Sequence, residues 1–160
     1  MRLTIAAIGK LKHVPERELF ELYWKRLEQA GRAVSFSPVR LEELSEGRAA
    51  TAELRRTDEA QRLLRACGET DVRVALDEHG KALSSEILAA WIKAKRDGGA
   101  KSMAFLIGGP DGHGADALAE ASLKLSLSAM TLPHGLARVV LAEQLYRAAT
   151  IISGHPYHRA

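Results

Sequence analysis

The chain has 160 residues, 46% of them hydrophobic and 27% charged, which suits one folded domain with a sizeable core and excludes a disordered or low-complexity chain. No apolar run approaches the roughly 18 residues of a membrane span, and the opening MRLTIAAIGK reads as a buried strand rather than a signal peptide. A net charge of +3 leaves nucleic-acid binding open without arguing for it, and a single cysteine, Cys67, rules out an internal disulfide and sets the expectation of a reducing cytoplasm.

In chain order, residues 2–8 (RLTIAAI) are a short apolar run closed by Gly9, the pattern of a strand. Pro15 suits a first helical turn, and Leu19, Leu22, Tyr23 and Leu27 follow at helical spacing up to Gly31. Val34 to Val39 form a second strand candidate, placed at an edge by Pro38. Residues 41–56 are polar and charged around Gly47, which predicts a loop or a mobile helix start. Leu54, Leu63, Leu64 and Cys67 then mark one apolar helix face.

The second half is more regular. Residues 72–76 (VRVAL) predict a strand ending at Asp77, and Glu78, His79 and Gly80 a turn. Ser84 or Ser85 can cap a helix that buries Leu88, Trp91 and Ile92 and ends with Lys95 and Arg96. SMAFLI, residues 102–107, carries no charge, as a central parallel strand does. A glycine-rich loop follows, then a helix through Ala117, Leu118, Ala121 and Ser122 and a short strand at 125–130. A long helix runs from Leu136 to Ile152. Strands alternating with helices predict an α/β fold, a mainly parallel sheet flanked by helices, in a single domain spanning 1–160.

Two loops are positioned for chemistry. Gly108-Gly109-Pro110-Asp111-Gly112-His113-Gly114 joins an apolar strand to a helix, where open α/β sheets bind ligands. Its spacing is neither the dinucleotide fingerprint nor a phosphate-binding P-loop, so a ligand loop and a plain glycine turn both fit. Thr131-Leu132-Pro133-His134 precedes the last helix, and Pro133 stiffens that entry. Six histidines raise the question of a metal, but the chain holds neither HExxH nor a CxxC pair, and none is expected. Cys67 falls where a core residue belongs. The basic side chains gather at the ends: residues 1–40 hold eight against four acidic ones, and Arg138, Arg147 and Arg159 face only Glu143 after residue 133. The chain closes on His155-Pro156-Tyr157-His158-Arg159, a stiffened segment able to stack on bases or hold phosphate.

Taken together, IAAIGKLK, VALDEHGKALSSE, FLIGGPDG, LSLSAMTLPHGLARVVLAEQLYRA and HPYHR resemble, in order and over essentially the full length, the ribosomal RNA large-subunit pseudouridine N3-methyltransferase family of the SPOUT superfamily. That resemblance implies a C-terminal trefoil knot over about residues 72–152. It also implies S-adenosyl-L-methionine as cofactor, a homodimer whose active sites are each completed by the other subunit, and a pseudouridine of large-subunit (23S) ribosomal RNA, on the ribosome, as target. By the same resemblance Leu76 touches the adenosine and Gly108 and Gly109 line the pocket. Leu127, Ser128, Ala129, Met130, Thr131 and Leu132 wrap it through their backbone, and Pro133 and His134 close it. Arg138, His155, Tyr157, His158 and Arg159 match the residues placed near the target base. The tail, residues 155–159, is expected to position RNA rather than cofactor.

Overall fold

The computed structural model describes residues 1–12 and 14–159, the side chains of His158 and Arg159 apart. Its first strand, β1 (Arg2–Ile8), is buried on both faces. Leu3, Ile5 and Ala7 enter one apolar layer, while Ala6 and Ile8 enter the other, as the two-residue strand period dictates. The charge-free run at 102–107 forms β4 (Ser102–Ile107), every residue of it buried.

Around these two strands lies a five-stranded sheet. With β2 (Val39–Leu44), β3 (Val72–Ala82) and β5 (Leu123–Ser126), its order is β2-β1-β4-β3-β5 and every pairing is parallel. Parallel neighbours need crossover connections, which helices supply. The helices α1 (Pro15–Ala33), α3 (Ser85–Asp97) and α5 (His134–Ser153) cover the face that holds Leu3 and Phe105. The helices α2 (Ala52–Cys67) and α4 (Ala115–Ala119) cover the other, where Ala60, Leu63 and Ala117 meet Ile8 and Leu106. The expected α/β class and flanked parallel sheet are what the structure has.

Local signals explain most element boundaries. Pro15 opens α1, with Glu16 and Glu18 in its first turn, where acidic groups suit the helix dipole. Ser84, not Ser85, caps α3 by accepting from the Ile87 N–H at 3.3 Å. Ser85 Oγ instead donates to Gln144 Oε1 of α5 at 2.6 Å. Thr51 caps α2 through the Leu54 N–H.

Five expectations need correction. The second strand does not run from Val34 to Val39. Val34 follows α1, Phe36 is fully buried as a core plug, and the strand begins at Val39. Gly31 permits this tight return, since a Cβ there would lie 2.7 Å from the Phe36 carbonyl oxygen. The polar stretch at 41–56 is accordingly the rest of β2, a short loop and the start of α2; an edge strand tolerates its charges. Residues 77–80 do not end β3, because pairing with β5 resumes at Lys81 after a bulge. Both α4 and β5 are shorter than expected, which leaves residues 127–133 as loop.

Cys67 sits buried at the end of α2, and burial pushes its thiol up to about 11. A folded sample near pH 8 is therefore expected to react with a thiol-specific disulfide reagent at least about 100-fold more slowly than a urea-unfolded one, because only the thiolate attacks. Equal rates would show the α2 face to be open.

Candidate active site

The carboxyl ends of β3, β4 and β5 converge on a cavity of about 700 Å³, a volume typical of ligand pockets. After β4 the chain turns back on itself, with the Gly112 N–H donating to Gly109 O at 3.0 Å. Gly112 adopts φ +85°, a conformation that side chains disfavour. Gly109 is needed for another reason. A Cβ there would meet Glu59 Oε2 at 2.7 Å and Ile8 Cγ2 at 3.0 Å. The loop is thus both a packed turn and a cavity wall.

The opposite wall is the loop that leaves β5. Ser126 Oγ donates to Ser128 O at 2.9 Å, and the Met130 N–H donates to Ser128 Oγ at 2.9 Å. Met130 itself is 78% exposed at the rim. Pro133 stands at the N-cap of α5, and the His134 ring then reaches back, its Nε2 3.0 Å from Gly108 O. This contact ties the two walls together.

Of the residues expected at the cofactor, Leu76, Gly108, Gly109 and Leu127 line the cavity, as do Ser128, Met130, Thr131, Leu132 and His134. Ala129 and Pro133 belong to the same loop without lining it. Sequence reasoning missed Arg56, Asp77 and Glu78, which with Asp111 of the glycine loop bring charge to the cavity. His113 of the same loop, not singled out there, also lines it. Asp77 at a strand end was visible as a signal, whereas Arg56 lies on a helix distant in sequence and had none.

Arg55 beside Asp111 holds that carboxyl below the usual carboxylate range. His113 lies near the backbone of Leu106 and Leu76 with neither ring nitrogen in hydrogen-bond geometry, and burial pushes its pKa down. Burial, then the Arg138 charge, lowers that of His134. Both imidazoles are neutral at pH 7.

The residues expected at the target base are dispersed. Arg138 does not line the cavity. It is fully buried behind it, donating to Glu43 Oε1 at 2.5 Å, to Ile8 O at 3.1 Å and to Gly9 O. His155 and Tyr157 lie beyond the other end of α5, and 20 helical residues span about 30 Å at 1.5 Å each. Tyr157 Oη donates to Glu143 Oε1 at 3.0 Å, and its ring lies 4.5 Å from that of Tyr146. Burial, Tyr23 and Glu143 raise its pKa, so it keeps its proton at neutral pH. The side chains of His158 and Arg159 lie outside the described residues. Among the described residues no group of three metal-ligating side chains occurs, and no helix is long and apolar enough to cross a membrane.

The two buried imidazoles set a pH dependence. Their folded-state pKa values lie below the ordinary 6.5, so the unfolded chain binds protons first as pH falls. The stability they contribute is fully present above about pH 6.5 and is lost as pH falls through the folded values. The urea midpoint is expected to drop between about pH 7.5 and about pH 5, with a shallower drop in His113→Leu. An equal slope in that variant would refute the assignment to His113.

Residues 1–158 match the family model described as "Predicted SPOUT methyltransferase". The ribosomal RNA large subunit methyltransferase H of Brucella anthropi is 46% identical over 160 residues, all of both chains. The protein of the same name from Mesorhizobium japonicum is likewise 46% identical over all of both chains, and that from Rhizobium etli is 46% identical over 99% of each. The solved structure of the SpoU methyltransferase AviRb from Streptomyces viridochromogenes, in complex with AdoMet, aligns with 96% of this chain and 61% of that one, at 16% identity and a TM-score of 0.43. Matched along nearly its whole length by both the family model and its relatives, this chain belongs to the SPOUT methyltransferase family.

Proposed function

We propose that the chain transfers the methyl group of S-adenosyl-L-methionine to N3 of a pseudouridine in large-subunit (23S) ribosomal RNA, working in the cytoplasm on the ribosome. The observation that carries this reading is the cavity between the Gly108–Gly114 and Leu127–His134 segments, in a chain 46% identical throughout to large-subunit RNA methyltransferases.

The cavity suits the cofactor chemically. Asp77, Glu78 and Asp111 against Arg56 make its side-chain charge net negative, which favours a cationic sulfonium over neutral ligands. Leu76 offers an apolar face to an adenosine. The two glycines admit a close approach to the backbone, and the Leu127–Leu132 segment offers peptide groups around it.

When bound, the cofactor supplies a methyl already activated on sulfur. The protein then has to align the base nitrogen with it, at about 3 Å, and accept the N3 proton. The imidazoles of the tail, His155 and His158, suit that acceptance better than Tyr157, and Arg159 suits charge developing on the flanking carbonyl oxygens. Arg138 acts from behind the wall by fixing α5.

A tail about 30 Å from its own cavity by helix length serves a partner's cavity, so the active form is a two-fold homodimer. Val14, Leu19 and Leu22 around α1 and Leu136 at the start of α5 are apolar and 40–45% exposed, the composition of a subunit interface. The apolar side chains of α5, Val139, Leu141, Leu145 and Ala148 among them, pack within the chain. The knot over residues 72–152 goes with this family. It agrees with α5 crossing back over the sheet after β5 has reached the edge.

Mass spectrometry of ribosomal RNA from a strain lacking the gene, then with it restored, tests activity, nucleotide and position together. Loss and recovery of one N3-methylpseudouridine is expected, and an unchanged RNA would overturn the reading. Deleting residues 155–160 is expected to leave S-adenosylmethionine binding and the dimer intact. Transfer to ribosomes should fall by about 100-fold or more, the scale on which orientation and proton transfer act. Undiminished transfer would remove the tail from the active site.

A further inference from the structure

The glycine loop is fastened from outside the cavity by α2. Arg55 sets two donors on the two oxygens of Asp111, Nε to Oδ2 at 2.7 Å and Nη2 to Oδ1 at 3.3 Å. Its remaining nitrogen donates to Ala49 O at 3.0 Å and Ala50 O at 3.5 Å. One guanidinium therefore joins α2 to the loop after β2 and to the loop after β4. One turn on, Glu59 is 3% exposed. Its Oε1 accepts the Gly47 N–H at 2.7 Å, and its Oε2 lies beneath Gly109. Gly114 presses on the Arg56 carbonyl and on Ala60.

The same helix face thus holds the glycine loop near both ends and in the middle. Asp111 lines the cavity, whereas Arg55 does not. Side chains 30% and 27% exposed form a pair of small value to global stability. What a bidentate contact does supply is orientation, and a binding loop ordered in advance spares the ligand the entropy of ordering it.

We infer that Arg55, through its bidentate hold on Asp111, is a positioning residue that fixes the glycine loop and thereby sets the affinity for S-adenosylmethionine. This rests on the reading of the cavity as the cofactor pocket. Arg55 touches no ligand. Its effect passes through a loop whose position it fixes, so it acts on cofactor binding and leaves the transfer step alone.

The test uses the full-length dimer and five forms: wild type, Arg55→Ala, Asp111→Ala, the double variant and, as the conservative replacement, Arg55→Lys. Calorimetry reads Kd for S-adenosylmethionine, transfer to ribosomes reads kcat and KM, and amide exchange without cofactor reads the loop directly. Arg55→Ala is expected to raise Kd and KM for S-adenosylmethionine about 10-fold, with kcat at saturating cofactor within about two-fold, and to speed exchange at 109–114. Arg55→Lys should recover part of the affinity, since it keeps the charge but loses the fork. In the Asp111→Ala background the Arg55→Ala change should add less than about two-fold, the mark of action through that carboxylate. Unchanged Kd in Arg55→Ala, or full additivity in the double variant, would overturn the inference. A wild type that binds no S-adenosylmethionine would sink the pocket reading instead, while the exchange comparison would still decide whether Arg55 holds the loop.

Discussion

A buried cation organises the functional end of this molecule. The Arg138 side chain is 1% exposed and pairs with Glu43 while donating to the last carbonyls at the β1 end, those of Ile8 and Gly9. Burying a charge is costly unless it is paired and fully hydrogen-bonded, and removing one partner strands the other, at a typical 3–5 kcal/mol. Arg138 thus fixes three things at once: the end of β1, the end of β2 and the first turns of α5. Burial alone raises the Glu43 pKa, but the Leu11 N–H, Arg138 and Arg17 together hold it below the usual range. The carboxylate stays charged and the cation stays matched. His134, one turn before Arg138, is delivered by this anchor to Gly108 O, so the cavity's two walls are joined only because α5 starts where it does.

The parts legible in the sequence are those whose cause is local. A mostly apolar run gave β1 and a charge-free one gave β4, Pro15 gave a helix start, and a glycine cluster after a strand gave a turn at the carboxyl edge of the sheet. The misreadings have a common source, contacts between residues distant in the chain. Phe36 looked like part of a strand because it is apolar, but it plugs the core behind Gly31. The charges of β2 looked like loop because nothing nearby uses them. Glu43 is used by Arg138, 95 positions on, and by Arg17, 26 positions back. The same holds at the cavity. The Leu127–Leu132 segment and Leu76 came from the family resemblance and are found at its wall, whereas Arg56 and His113 depend on how α2 and the glycine loop meet.

The helix α5 gives the chain two separated poles. At one end it closes the cavity, and at the other it leads into Tyr157, whose ring packs against both Tyr146 and the Arg147 guanidinium. Between them one face is buried in the core shared with α1 and α3, and the remaining positions from 138 to 152 are half-buried. A helix with so little free surface cannot bend to bring its ends together, which makes the separation of pocket and tail a property of the core itself.

The bulge in β3 has a similar fixity. Pairing with β5 is in register up to Leu76 opposite Leu125, and it resumes with Lys81 opposite the same Leu125. Residues 77–80, which carry Asp77, Glu78 and His79 into the cavity wall, are therefore bracketed by two pairings that share one partner. Gly80 passes so close to the Lys124 backbone that a Cβ would lie 2.7 Å from its carbonyl carbon. Adding or removing a residue here would have to be absorbed within this short bracket, against the close passage of Gly80 over Lys124, or else break the Lys81–Leu125 pairing. In an ordinary surface loop, divergence can proceed by changes of length. Along this wall a change of length meets both constraints at once, and exchanging one side chain for another at a constant count is the change the fold accommodates most readily.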